Sequence, residues 1–147
     1  MDNVELARVL LIAGGGLFCA LGAVHVLASA VDVLRPTFFA PLDRKDVGAL
    51  RQTEIQLAAW FGRRANLWDA WLGFNLSHGV GMAFFGLCFV LLGVHRFDAF
   101  QASWVGPAMA ITMSALYLLL AFRFWFFVPA TGIGLGLLCL VTSAWLA

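Results

Sequence analysis

The stretch "NLWDAWLGFNLSHGVGMAFFGLCFVLLGV", residues Asn66 to Val94, decides the class of this protein. Between Leu67 and Val94 the only residue with a formal charge is Asp69. A bilayer has a hydrocarbon core about 30 Å thick, which an apolar helix of about 20 residues can cross. The stretch is longer than that, so we interpret it as a membrane span.

Three further stretches meet the same criterion, at about residues 9–34, 104–122 and 125–146. The first stops at Arg35 and Pro36, because proline disfavours helix in the residue before it. Backbone groups in lipid must pair within their own segment, so apolar spans are helices. The second and third connections are short, which favours antiparallel neighbours. The sequence therefore predicts an all-α fold, a single membrane domain over residues 1–147 built as an antiparallel four-transmembrane-helix bundle.

The composition agrees with this class. Hydrophobic residues make up 63% of the chain and charged residues 12%, which is too little charge for a soluble domain. The net charge of +1 provides no basic surface for nucleic acid. The first apolar run is too long for a signal peptide, so we expect it to be retained.

The connection from residue 35 to residue 66 is the only sizeable segment expected outside the membrane. Apolar residues recur there at helical spacing, with Glu54 interrupting the pattern: Val47, Leu50, Leu57, Ala58 and Phe61. We predict one short amphipathic helix on the membrane surface, with an irregular loop as the alternative. Asn66 and Asp69 have the spacing of a helix cap and predict where the second span begins.

Basic residues predict the orientation of the spans. The first and third connections hold seven of them, namely Arg35, Arg44, Lys45, Arg51, Arg63, Arg64 and Arg123. The opposite side holds only Arg8 and Arg96. Lysine and arginine are enriched in cytoplasmic loops, so we expect the first connection in the cytoplasm and both termini outside.

Two histidines are predicted to lie deep in the membrane. His25 lies nine residues before Leu34, or about 13 Å along a helix, and His78 lies eleven residues after Leu67, or about 16 Å. Both distances start from the same side, so the imidazoles are expected at one level on neighbouring helices. They could face a common pocket.

Helical spacing adds further residues to this candidate pocket. Three or four residues along a helix return to the same face. The candidate ligand-binding residues are therefore His25, Ser29, Trp71, Asn75, His78 and Met82. Ser77 points elsewhere, and we expect its hydroxyl to bond back to its own helix.

Three interpretations of this polar cluster remain open at this stage. It is a structural hydrogen-bond network, as in a purely structural subunit of a membrane complex or a homo-oligomer. It binds haem b, with His25 and His78 as the iron ligands. Or it is a binding or catalytic pocket for a small lipophilic molecule, with histidine as proton donor and acceptor. Cofactor and activity are otherwise unassigned, and no other metal site is predicted.

Two further expectations bear on that choice. The many glycines in the spans most simply indicate close helix packing, and less simply indicate space for a flat cofactor. Asp32 and Asp69 are expected near the cytoplasmic boundary, hydrated or paired with Arg63, Arg64 or Arg123. That placement leaves the pocket without a carboxylate.

The patterns "ALGAVHVL", "WDAWLGFNLSHGVGMAFFGL" and "FWFFVPATG" resemble a family of small, uncharacterised four-helix bacterial integral membrane proteins. The resemblance is spread over most of the chain and is densest from Trp71 to His78. It implies a multi-pass protein of the bacterial cytoplasmic (inner) membrane, with the lipid bilayer as its partner. It implies no activity.

Overall fold

The computed structural model describes residues 2–62 and 64–147, and over these residues it is helical without β-strands. Seven helices follow in chain order: α1 (Asn3–Leu34), α2 (Arg44–Gln52), α3 (Gln56–Trp60), α4 (Leu67–His95), α5 (Phe97–Gln101), α6 (Val105–Phe124) and α7 (Phe127–Leu146). Of these, α1, α4, α6 and α7 are long and apolar enough to cross a membrane. The prediction of four apolar helices is therefore confirmed. Helix α1 begins six residues earlier than predicted, where Asp2 Oδ1 accepts a hydrogen bond from Glu5 N at 2.8 Å.

The predicted single surface helix is wrong, because two short helices, α2 and α3, stand in its place. Between them the chain is extended and pairs with the residues before α4. Leu67 N donates to Thr53 O at 2.8 Å, and Ile55 N donates to Ala65 O at 2.9 Å. Those backbone bonds replace the helical ones at the point where Glu54 interrupts the apolar pattern. Arg63, one of the basic residues counted above, lies outside the described residues.

The chain divides into two compact units. The first comprises residues up to Gly22 together with Met82–Ala147, and the second comprises Ala23–Gly81.

Close helix contacts through glycine characterise the first unit. A Cβ added at Gly86 would overlap backbone atoms of Gly15 and Cys19, so α1 and α4 approach closely there. A Cβ at Gly136 of α7 would come within 2.7 Å of the Phe18 ring. These glycines allow the helices to pack closely, which was the simpler of the two expectations for them.

Two polar contacts reinforce this packing. Ser143 of α7 donates from Oγ to Ala7 O of α1 at 2.7 Å, where both residues are buried. Arg8 donates from Nε to Gly93 O at 2.8 Å and from its terminal nitrogen to Val94 O at 3.1 Å. The guanidinium therefore satisfies two carbonyls at the end of α4, where a helix has unpaired acceptors.

The second unit contains the end of α1, the whole first connection and the first half of α4. Its small apolar core consists of Val47, Trp68 and Leu72. Helix α4 begins with a reciprocal cap, in which Asp69 N donates to Asn66 Oδ1 at 2.8 Å and Asn66 Nδ2 donates to Asp69 Oδ2 at 2.7 Å. The predicted cap is confirmed. This unit holds all but one of the candidate site residues.

Candidate functional site

A hydrogen bond between α1 and α4 lies at the centre of the candidate site. His25 Nε2 is 3.1 Å from Asn75 Oδ1, and Asn75 is fully buried. The other end of the amide, Nδ2, donates to Trp71 O at 2.8 Å. A carbonyl can only accept, which fixes the amide so that its oxygen faces the imidazole. His25 therefore donates from Nε2, and its neutral form carries the proton on that nitrogen.

His78 lies beside this pair. Its ring centroid is 5.3 Å from that of His25, with the two planes at 68°, an edge-to-face contact. Both histidines are partly exposed, in contrast to Asn75. The side chains of two helices thus bring two imidazoles together at one level.

Aromatic rings on α4 extend the row of imidazoles. Phe74 stacks on His78 with centroids 5.9 Å apart and planes at 17°. Trp71 stacks on Phe74 with centroids 6.2 Å apart and planes at 23°. Trp71 and Phe74 are themselves exposed, at 38% and 55%. This side of α4 therefore presents a run of flat faces next to the histidines.

Phe39, in the first connection, is a site residue that the sequence reasoning missed. Its ring centroid lies 4.6 Å from that of His25, with the planes tilted by 32°. Its carbonyl oxygen accepts a hydrogen bond from Trp71 Nε1 at 2.9 Å. The connection therefore returns from the end of α1 to cover one face of the His25 ring.

Asp32 holds this part of the connection, and the expectation that its side chain is hydrated is wrong. Its side chain is fully buried. Oδ1 accepts from Thr37 N at 2.6 Å and from Phe38 N at 2.8 Å, and Oδ2 accepts from Phe39 N at 2.6 Å. These three backbone N–H groups replace the hydrogen bonds from water that the carboxylate loses when it is buried. The sequence offered only a weak signal, an acidic residue shortly before Pro36.

Together these contacts form a closed circuit within the second unit. His25 bonds to Asn75, Asn75 to the Trp71 carbonyl, the Trp71 indole to the Phe39 carbonyl, and the Phe39 amide to Asp32. His25 and Asp32 stand seven residues apart on α1, which is two helical turns. The circuit thus joins α1, the connection and α4 through polar contacts.

The structure also describes three further polar or sulfur-bearing residues of the long helices. Ser29 is buried, and its Oγ donates to His25 O of its own helix at 2.8 Å. Met82 belongs to the first unit, where it is buried in the apolar core. Ser77 donates to Phe74 O at 3.0 Å, which confirms the expected bond within its own helix.

The two histidines do not fit a bis-histidine haem in this arrangement. A haem held by both histidines would have to fit between the two imidazole rings. The His25 and His78 rings instead touch each other edge to face, and His25 Nε2 is bonded to Asn75. Among the described residues, no three histidine, cysteine, aspartate or glutamate side chains gather as a metal site.

Comparison with protein-family models, curated proteins and solved structures finds no match to this chain.

Proposed function

We propose that this chain is a multi-pass protein of the bacterial cytoplasmic membrane that crosses the bilayer with four antiparallel helices. Contacts between α1 and α4 support the direction of the helices, because Arg8 reaches Gly93 while Gly15, further along α1, lies against Gly86. The excess of basic residues in the first connection supports a cytoplasmic position for it. Fusions of alkaline phosphatase or green fluorescent protein to the C-terminus test this orientation. We expect the phosphatase fusion to be active, because the C-terminus is proposed to lie outside the cytoplasm. A fluorescent fusion would place the C-terminus in the cytoplasm and reverse the proposed orientation.

We further propose that the second unit binds a small lipophilic molecule that carries a polar group. The observation that carries this proposal is the His25–Asn75–His78 arrangement. A buried asparagine holds one imidazole against another, and both rings are partly exposed. Polar side chains at membrane depth are costly, so they usually serve packing or a ligand.

The position of His78 favours a ligand over packing alone. A cross-link between α1 and α4 needs only His25 and Asn75, whose hydrogen bond already joins the two helices. His78 adds a second, partly exposed imidazole with Phe74 stacked on it. A neutral imidazole has one donor and one acceptor nitrogen, while the neighbouring rings offer faces to an apolar body. That combination suits a molecule with one polar end.

The experiment compares the wild type with two histidine variants, by the molecules that co-purify with each protein and by its thermal stability in lipid nanodiscs. Wild-type protein is extracted gently and examined by native mass spectrometry, then screened for shifts in melting temperature with a panel of lipophiles. His78→Phe keeps a flat ring but removes the polar nitrogens, so bound mass and shifts are expected to disappear. His95→Gln is the matched control, because that histidine is exposed at the end of α4. If no lipophile shifts the wild type and His78→Phe only lowers its melting temperature, the cluster is structural and the proposal fails.

A further inference from the structure

We infer that Phe39 occupies the place of the ligand, and that the ligand is a flat aromatic or quinoid molecule with a carbonyl oxygen. This inference rests on the proposed function, since it names the kind of molecule that the histidine site takes. It is carried by two contacts that Phe39 makes. Its ring contact corresponds to the flat part of such a molecule, and its carbonyl contact corresponds to the polar group.

The first contact is between rings. The Phe39 ring lies against the imidazole of His25 at 4.6 Å between centroids, tilted by 32°. The face of His25 therefore accommodates a flat aromatic group. Aromatic rings favour such offset or tilted contact over face-to-face stacking.

The second contact is polar. Trp71 Nε1 donates to the Phe39 carbonyl oxygen at 2.9 Å. An indole N–H is a donor only, so whatever replaces Phe39 has to bring an acceptor to satisfy it. A carbonyl oxygen is the group that occupies this position now. A hydrocarbon would leave the indole N–H without its acceptor.

Phe39 is placed so that it can give way. It lies in the non-helical part of the connection, and the adjacent Phe38 is 62% exposed. The second unit's apolar core consists of other residues, Val47, Trp68 and Leu72. The backbone of Phe39 is held by Asp32 instead. Phe39 therefore lies outside both α1 and α4 and outside the buried residues of this core.

Menadione, a naphthoquinone, and 2-methylnaphthalene, which lacks its carbonyls, test the inference as a matched pair. Binding to protein in nanodiscs is measured by equilibrium dialysis, with empty nanodiscs subtracted. Phe39→Ala removes the competing ring, so menadione is expected to bind at least about tenfold more tightly, because apparent affinity scales with the competent fraction. Phe38→Ala is the control, since Phe38 donates to the same carboxylate but its ring is exposed. It should leave the affinity unchanged.

The acceptor is tested by Trp71→Phe, which keeps a ring at position 71 but removes the indole N–H that donates to the Phe39 carbonyl. Menadione should bind this variant less tightly than the wild type, whereas 2-methylnaphthalene should not lose affinity. The same loss for both probes would overturn the carbonyl requirement.

A measurement on the wild type covers the case in which Phe39→Ala fails to fold. Menadione should increase hydrogen exchange at the amides of residues 37–39, because displacing Phe39 disturbs their bonds to Asp32. Unchanged or slower exchange while menadione is bound would overturn displacement. If another lipophile binds in a His78-dependent manner and menadione does not, the proposed function stands and this inference fails. If no lipophile binds, both fail.

Discussion

Asn75 fixes the protonation pattern of His25. Its amide nitrogen donates to the Trp71 carbonyl at 2.8 Å, so its oxygen faces His25 Nε2 at 3.1 Å and accepts a hydrogen bond from it. A leucine at this position would have a similar volume but no acceptor. The histidine would then lose the partner that selects its tautomer.

Asn75→Leu is therefore expected to lower the free energy of unfolding by about 0.5–1.5 kcal/mol, the net contribution of the hydrogen bond that it removes. The measurement is thermal unfolding in nanodiscs, followed by circular dichroism. Ser77→Ala serves as the control, because that hydroxyl is exposed and bonds only within α4 in the contacts described. Equal losses in both variants would contradict the role assigned to Asn75.

Asp32→Ala is expected to cost roughly 3 kcal/mol or more, since three backbone amides lose a charged acceptor. Hydrogen exchange at residues 37–39 should rise in the same variant. Asp69→Ala is the comparison, because Asp69 caps α4 at an exposed position and should contribute less than about 1 kcal/mol. If Asp32→Ala left these amides protected, the carboxylate would not be what holds the connection.

Gly86→Ala and Gly73→Ala form a matched pair on α4. A Cβ at Gly86 would overlap the backbone of α1, so this variant is expected to lose about 1–3 kcal/mol. A Cβ at Gly73 meets open space, and this variant should stay within about 1 kcal/mol of the wild type. Melting temperatures of the two proteins check the difference. Similar values would mean that α1 and α4 are not in close contact.

Protein purified from haem-replete cells is expected to show no Soret absorption band. The reason is the direct contact between the His25 and His78 rings. Absorption spectra of the wild type and of the His25→Ala and His78→Ala variants check this. A strong band that disappears in both variants would show that the histidines separate to take haem.

The Arg96–Asp98 pair predicts a small response to pH at α5. The hydrogen bond from Arg96 holds the pKa of Asp98 below its usual value. The pair therefore stabilises the fold above the unfolded pKa, and this contribution disappears as pH falls through the folded value. Arg96→Gln should raise the pKa of Asp98 in an NMR titration. Its melting temperature between pH 5 and pH 8 should stay that of the wild type, because both side chains are exposed.

The four long apolar helices and the cap of α4 could be predicted because their signals are local. A long apolar run indicates a helix of that length, and Asn66 and Asp69 bond to each other within one turn. Counting residues along two helices also placed His25 and His78 at one expected level. Phe39 could not be found in this way. Its contacts depend on a reversal of the chain that Asp32 produces through backbone amides, and every residue except proline carries such an amide.

The closed circuit through Asp32 has a consequence for rates. Uncovering the imidazole requires movement of the segment after Leu34, whose backbone amides are bound to Asp32. Breaking those bonds is a local unfolding, which takes microseconds to seconds. Exchange of Phe39 for another molecule would then be limited by this opening and not by how fast that molecule arrives through the lipid.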